Sequence, residues 1–254
     1  MSMGRHTTWL LACVALACAA AAQADELAAT PYRPSVGTPA ALSAPGYFEI
    51  EAGFAVETGS GTRTTSIPAL LKYAFTPRVG VSFGFTPWLR IRSAAGHQSG
   101  HGDGSLTLKL AQPLSDDFML GGELTTSLAL ASSGLGSEHP DRTLNLIGSG
   151  DVAGLHIDLN LNRTRLGDAQ ASGVSRGLTG WSLGASRALT PQWGLGLEVS
   201  GTRQSGTNST RQWLASAGWS LSPLLVLDAF VARSASGSER GHTFGLGFTR
   251  LLAN

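Results

Sequence analysis

The segment GHQSGHGDG, residues 96–104, gathers His97, Ser99, His101 and Asp103. A histidine beside a serine hydroxyl, oriented by a carboxylate, is the arrangement of nucleophilic ester hydrolysis, which lipid hydrolases use. His97, His101 and Asp103 could also meet at a divalent metal. Both chemistries need a rigid scaffold, and four glycines in nine residues make a loop instead. The expected role is therefore a solvated loop with a structural Gly-Asp turn, with neither catalysis nor a metal or other cofactor.

The elements on either side are more informative. Trp193, Leu195, Leu197 and Val199 alternate with Gly194, Gly196, Glu198 and Ser200, the period-two pattern of a strand with one greasy face. Phe48, Ile50, Ala52, Phe54 and Val56 likewise face away from Glu49, Glu51, Gly53 and Glu57. Leu155, Ile157, Leu159 and Leu161 oppose His156, Asp158, Asn160 and Asn162. Tight turns are expected at Thr76–Arg78, Ser115–Asp117, Asp151–Gly154, Thr190–Gln192 and Ser222–Pro223, where Thr or Ser precedes turn-forming residues. Between them lie six longer polar stretches, GSGTRTTS, SAAGHQSGHGD, SSGLGSEHPD, LGDAQASGVSRG, SGTNST and SASGSERG. Five short turns and six long loops imply about twelve strands with both ends of the sheet on the short-turn side. The predicted fold is all-β, a transmembrane antiparallel β-barrel.

Aromatic placement supports this reading. Phe75, Phe118, Trp193 and Trp219 fall beside the short turns, and Trp181 and Trp213 at the opposite strand ends, as two interfacial girdles require. Parity then sorts the charges. Glu49, Glu51, Glu57, Glu123, Asp158, Glu198 and Asp228 are expected to face the lumen, together with Lys72, Arg90, Arg92, Lys109 and His156. They either pair across a packed interior or line a wet passage and set its selectivity. Arg163, Arg165, Arg203 and Arg233 are expected outside, at the loop-side strand ends, either solvated or against lipopolysaccharide phosphates.

Export fits the same picture. Residues 1–24 read as a signal peptide, with Arg5 and His6, an apolar core and the small-x-small site AQA at Ala22–Ala24. Both cysteines, Cys13 and Cys18, lie inside it, so cleavage leaves neither disulfide nor thiol chemistry. Without Arg5, 17 basic residues meet 17 acidic ones, a balance that argues against nucleic-acid binding. The chain carries 33 glycines, nearly twice the usual share of about 7%, and only 14% charged residues. Residues 25–46 form a Pro-rich lead, either a periplasmic tail or a plug, because proline cannot donate within a wall strand. The barrel is expected over residues 47–254.

The segment RPSVGTPAALSAPGYFEIEAGF, residues 33–54, resembles the entry into the first strand of the outer-membrane transporter family named for the MetA pathway of phenol degradation. GHGDGSLTLKL, with Gly102, Asp103 and an inward Lys109, and LLKYAFTP, with Lys72, are similar to that family's other segments. The resemblance implies an outer-membrane channel for small solutes, among them aromatic or hydrophobic compounds. The alternatives are a structural or lipopolysaccharide-interacting barrel without transport, and a lipid hydrolase. The expected partners are outer-membrane lipid and lipopolysaccharide, small solutes in the lumen and the outer-membrane assembly machinery. Many barrels end on an aromatic residue; this chain ends FTRLLAN, which leaves Phe248 for recognition by that machinery.

Overall fold

The computed structural model describes residues 27–253; the signal-peptide reading and both cysteines lie outside them. The strands are β1 (Phe48–Gly59), β2 (Thr62–Thr76), β3 (Val79–Ser93), β4 (Gly96–Gly100), β5 (Gly104–Pro113), β6 (Phe118–Leu128) and β7 (Arg142–Val152). They continue with β8 (Leu155–Arg165), β9 (Gly177–Ala188), β10 (Trp193–Gln204), β11 (Thr210–Ser222), β12 (Leu225–Ser236) and β13 (Glu239–Leu252). Neighbours pair antiparallel, and β1 pairs with both β2 and β13, which closes the sheet. Twelve strands make the closed barrel; the short β4 folds back on the loop-side end of β3 and pairs with no other strand among the described residues. A closed cylinder has no free edge, so every wall strand has a hydrogen-bonded neighbour on both sides, as a bilayer demands.

The outer face is apolar and exposed. Leu108, Leu124, Leu146, Leu161, Leu197, Val231 and Leu246 belong to a band of large apolar side chains open to the surroundings. So wide an apolar surface is unfavourable in water and fitting against lipid tails. At the turn side Trp193 stacks on Trp219 with ring centroids 5.4 Å apart, and Tyr73 packs between Phe48 and Phe75.

All five expected short turns occur. Two of the six expected long loops do not: GSGTRTTS and SASGSERG are mostly strand, closed by two-residue turns at Ser60–Gly61 and Gly237–Ser238. Ser60 and Gly61 both have positive φ, the mirror-image turn whose twist suits a hairpin. SAAGHQSGHGD contains β4.

One register shift alters a parity assignment. Phe85 pairs with Ala69, but Trp88 pairs with Ile67, so β3 carries one residue more than β2 over this stretch. The bulge turns the rest of β3 over. Arg90 then pairs with Thr65, which pairs with the outward Val56, and Arg92 pairs with Arg63, which pairs with Thr58. Arg90 and Arg92 therefore face outward rather than into the lumen.

Candidate functional site in the barrel lumen

The other expected lumen residues do lie on the inner face, and most are buried: Glu49, Glu51, Lys72, Lys109, Glu123, Glu198 and Asp228. His156 and Asp158 stand nearer the turn-side mouth and are partly exposed. Glu57 sits in the loop-side mouth beside Thr64 and Ser234. These charges face neither one another alone nor water alone. Residues 29–46 enter from the turn side, where Ala29 N–H donates to the Pro223 carbonyl, reach mid-barrel at Val36–Thr38, and return to Gly46, whose N–H donates to the Ala74 carbonyl.

This inner segment is tied to the wall along its length. Thr30 N–H donates to Glu49 and Tyr32 N–H to Glu51, at 2.8 and 2.7 Å. Lys72 bridges the same two carboxylates, Glu51 at 2.5 Å, and also donates to the Thr30 carbonyl at 2.6 Å. The Tyr32 ring lies between both lumen lysines, 3.7 Å from Lys72 Nζ and 4.0 Å from Lys109 Nζ, a double cation–π contact. Arg33 pairs with Asp228 through two bonds of 3.2 Å. At the tip, Glu198 accepts from Ser35 Oγ, Val36 N–H and Gly37 N–H at 2.7, 2.7 and 2.8 Å. Thr38 bonds Glu123 and Asn160, and Ala40 N–H donates to Ser149.

Two features of the wall fit this occupant. The wall offers more carboxylates (Glu49, Glu51, Glu123, Asp158, Glu198, Asp228) than lysines (Lys72, Lys109), and buried carboxylates must be compensated. The segment supplies further donors as backbone N–H groups, the Ser35 and Thr38 hydroxyls and one guanidinium. The wall glycines also leave space for it. A Cβ on Gly53 or Gly247 would overlap the Arg33 guanidinium, and one on Gly121 would come within 3.0 Å of Ala40 Cα. Inward glycines thus make room for the chain itself.

The segment divides the lumen. A turn-side cavity of about 540 Å³ is lined by residues 29–35 and by His156, Asp158, Glu198 and Asp228. A loop-side cavity of about 220 Å³ begins at Val36, Gly37 and Thr38 and is walled mainly by hydroxyl and amide groups, including Thr143, Asn162, Ser200 and Gln212, with Glu123 and Trp181. Single strands serve both: β8 gives Asp158 to the first and Asn160 to the second, and β10 gives Gly196 and then Ser200.

In the HQSGHGD stretch Asp103 is engaged by backbone donors rather than by a histidine ring. Asp103 accepts from the backbone N–H of Ala131 and Ser137, at 3.1 and 2.8 Å, clasping the 129–141 loop. His97 and Ser99 sit on β4 opposite Arg92 and Arg90. A second clasp joins neighbouring loops: Asp168 accepts from Glu138 N–H, His139 N–H and the His139 ring, which holds its carboxyl below the usual range. No group of three or more potential metal ligands forms among the described residues.

Solved structures place this geometry. The NanC porin superposes with a TM-score of 0.58 over 79% of this chain and 98% of its own, at 8% identity. The CymD monoaromatic hydrocarbon channel gives 0.55 over 83% and 90% at 10% identity. The P. putida toluene transporter TodX gives 0.52 over 83% and 91% at 9% identity. Such identities speak for the fold alone. Together with the closed sheet and the apolar outer band, that fold decides the compartment. The chain is an outer-membrane β-barrel. No protein-family model and no curated protein matches it, so the resemblance to the MetA-pathway family rests on the quoted segments.

Of the lumen network, parity finds the wall charges but not their partners. Tyr32, Arg33, Ser35 and Thr38 lie in a stretch without strand periodicity. The usable signal there was Arg33, the lone cation of the Pro-rich lead, which would be wasted in a purely apolar spacer. Asn145, Asn160 and Ser182 are buried on the inner face as well, and their alternation with leucines marked the face without marking a role.

Proposed function

We propose that this barrel is a non-catalytic outer-membrane channel for small solutes whose resting lumen is closed by its own residues 29–42. A solute passes when the segment yields. The observation that carries the reading is the pair of cavities on opposite sides of the segment, each fed by the same strands. Displacing residues 35–38 would join them into one path. The loop-side lining, rich in hydroxyls and amides beside Glu123 and Trp181 and without lysine or arginine, suits small solutes that carry hydroxyl groups of their own. A phenol meets this requirement, and so does an uncharged sugar. The fold is shared with CymD, a monoaromatic hydrocarbon channel, and TodX, a toluene transporter, which makes an aromatic solute the first to try.

Uptake tests the proposal directly. Cells lacking the protein should take up phenol more slowly at limiting concentration, and the full-length protein in liposomes should restore solute flux. Equal uptake with and without the protein, for phenol and an uncharged sugar alike, would leave a closed structural barrel.

A further inference from the structure

The loop-side rim of the outer wall carries charge of one sign. On the strands the only lysines, Lys72 and Lys109, face the lumen, and every cation on the outer face is an arginine or a histidine. No carboxylate on any strand shares that face. Following the register sideways from one loop-side tryptophan gives a row: Trp213 on β11 opposes Arg233, which opposes His242, which opposes Thr58. Thr58 opposes Arg63, Arg63 opposes Arg92, and Arg92 opposes His97 on β4. Further round the barrel Arg142 opposes Arg165, and Thr179 stands between Arg163 and Arg203.

Arg63 with Arg92 and Arg142 with Arg165 are like charges placed directly across neighbouring strands, an arrangement that destabilises a sheet unless something neutralises it. None of these arginines pairs with a carboxylate among the described residues. Their strands therefore present unpaired positive charge to whatever surrounds the rim. That charge stands level with Trp213 and just beyond it, where the loop-side interface of the membrane lies. Grooves here combine both characters, one lined by Leu197, Trp213 and Val231 with Arg233 and His242, another by Trp213, Arg233 and Arg240.

We propose that this rim binds the phosphates of lipopolysaccharide in the outer leaflet, with the lipid A acyl chains on the apolar band below. Arginine rather than lysine suits the task, because its planar fork grips a phosphate with two parallel hydrogen bonds. The bulge in β3 serves this surface: by turning Arg92 outward it creates the Arg63–Arg92 pair.

The test uses the purified full-length barrel with defined lipids. Bisphosphorylated lipid A should bind at least tenfold more tightly than the same lipid after dephosphorylation, measured by native mass spectrometry in detergent. Replacing Arg63, Arg92, Arg142 and Arg165 together by Gln should abolish that preference, and the four Arg→Lys replacements should restore part of it. Heat-dependent gel mobility reports whether each variant is folded. If the quadruple Gln variant does not fold, the wild-type comparison decides alone. Equal affinity for the two lipids, or an undiminished preference in a folded Gln variant, would overturn the proposal.

Discussion

Replacing Glu198 by Ala should open the barrel without dismantling it. Glu198 is a wall residue, 7% exposed, and its carboxylate takes three donors from the tip of the inner segment. Hydrogen bonds to a charged group contribute about 1.5–3 kcal/mol each. Three sharing one carboxylate are less than additive, and the freed carboxylate would regain water in the open state. A net loss of about 3 kcal/mol is a reasonable magnitude, and at about 1.4 kcal/mol per tenfold it raises the open-to-closed ratio about a hundredfold. Single-channel recording in a planar bilayer reads this as open probability. Conductance is the wrong readout, because Glu198 also lines the path and its removal changes ion flow in its own right. Glu198→Gln, which retains one acceptor, should fall between wild type and Ala. An Ala variant with normal heat-dependent mobility and an open probability within about twofold of wild type would refute the idea that the segment is a closure held by this carboxylate.

Two further substitutions approach the closure from the wall. Gly121→Val puts side-chain atoms where Ala40 now lies, a Cβ alone coming within 3.0 Å of its Cα, and should displace the returning arm of the segment. A cysteine at Ser35 should then react with a membrane-impermeant maleimide far faster than in the unsubstituted barrel, and equal labelling rates would show that the arm is not seated there. Lys72→Met removes the cation that Glu49 and Glu51 share, both of them buried. Leaving buried charge without its partner costs about 3–5 kcal/mol, so the temperature at which the barrel loses its compact gel mobility should fall; an unchanged temperature would mean that water already reaches those carboxylates.

The wall was legible because a bilayer imposes a strict code on it. Leu106, Leu108 and Leu110 must face lipid, which forces Thr107 and Lys109 inward, and the tight turns recur because antiparallel neighbours need them. The same code fails where its assumption of unbroken alternation fails. Arg90 and Arg92 were misassigned because the extra residue near Thr86–Pro87 leaves no trace in a hydrophobicity pattern that is already mixed there. GSGTRTTS has the composition of a loop because Gly, Ser and Thr favour turns, yet near the rim a strand need not be apolar to be held by its neighbours on both sides.

The inner segment was illegible for a deeper reason. Its conformation is specified by the wall and hardly at all by local periodicity: Glu198, Glu49 and Glu51 select its N–H groups, and Gly53, Gly121 and Gly247 define where its bulk can lie. From the wall alone, inward glycines beside inward carboxylates suggest an open, wet, acidic passage. With the segment in place, Glu49, Glu51 and Glu198 instead each accept hydrogen bonds from its N–H groups, donors that water would have to replace if the segment left. A channel that opened would therefore exchange those donors for water or for entering cations. Under the proposed closure, the surplus of lumen carboxylates over lysines ties tight closing to cation attraction on opening, so the two properties should rise and fall together across substitutions of Glu49, Glu51 and Glu198.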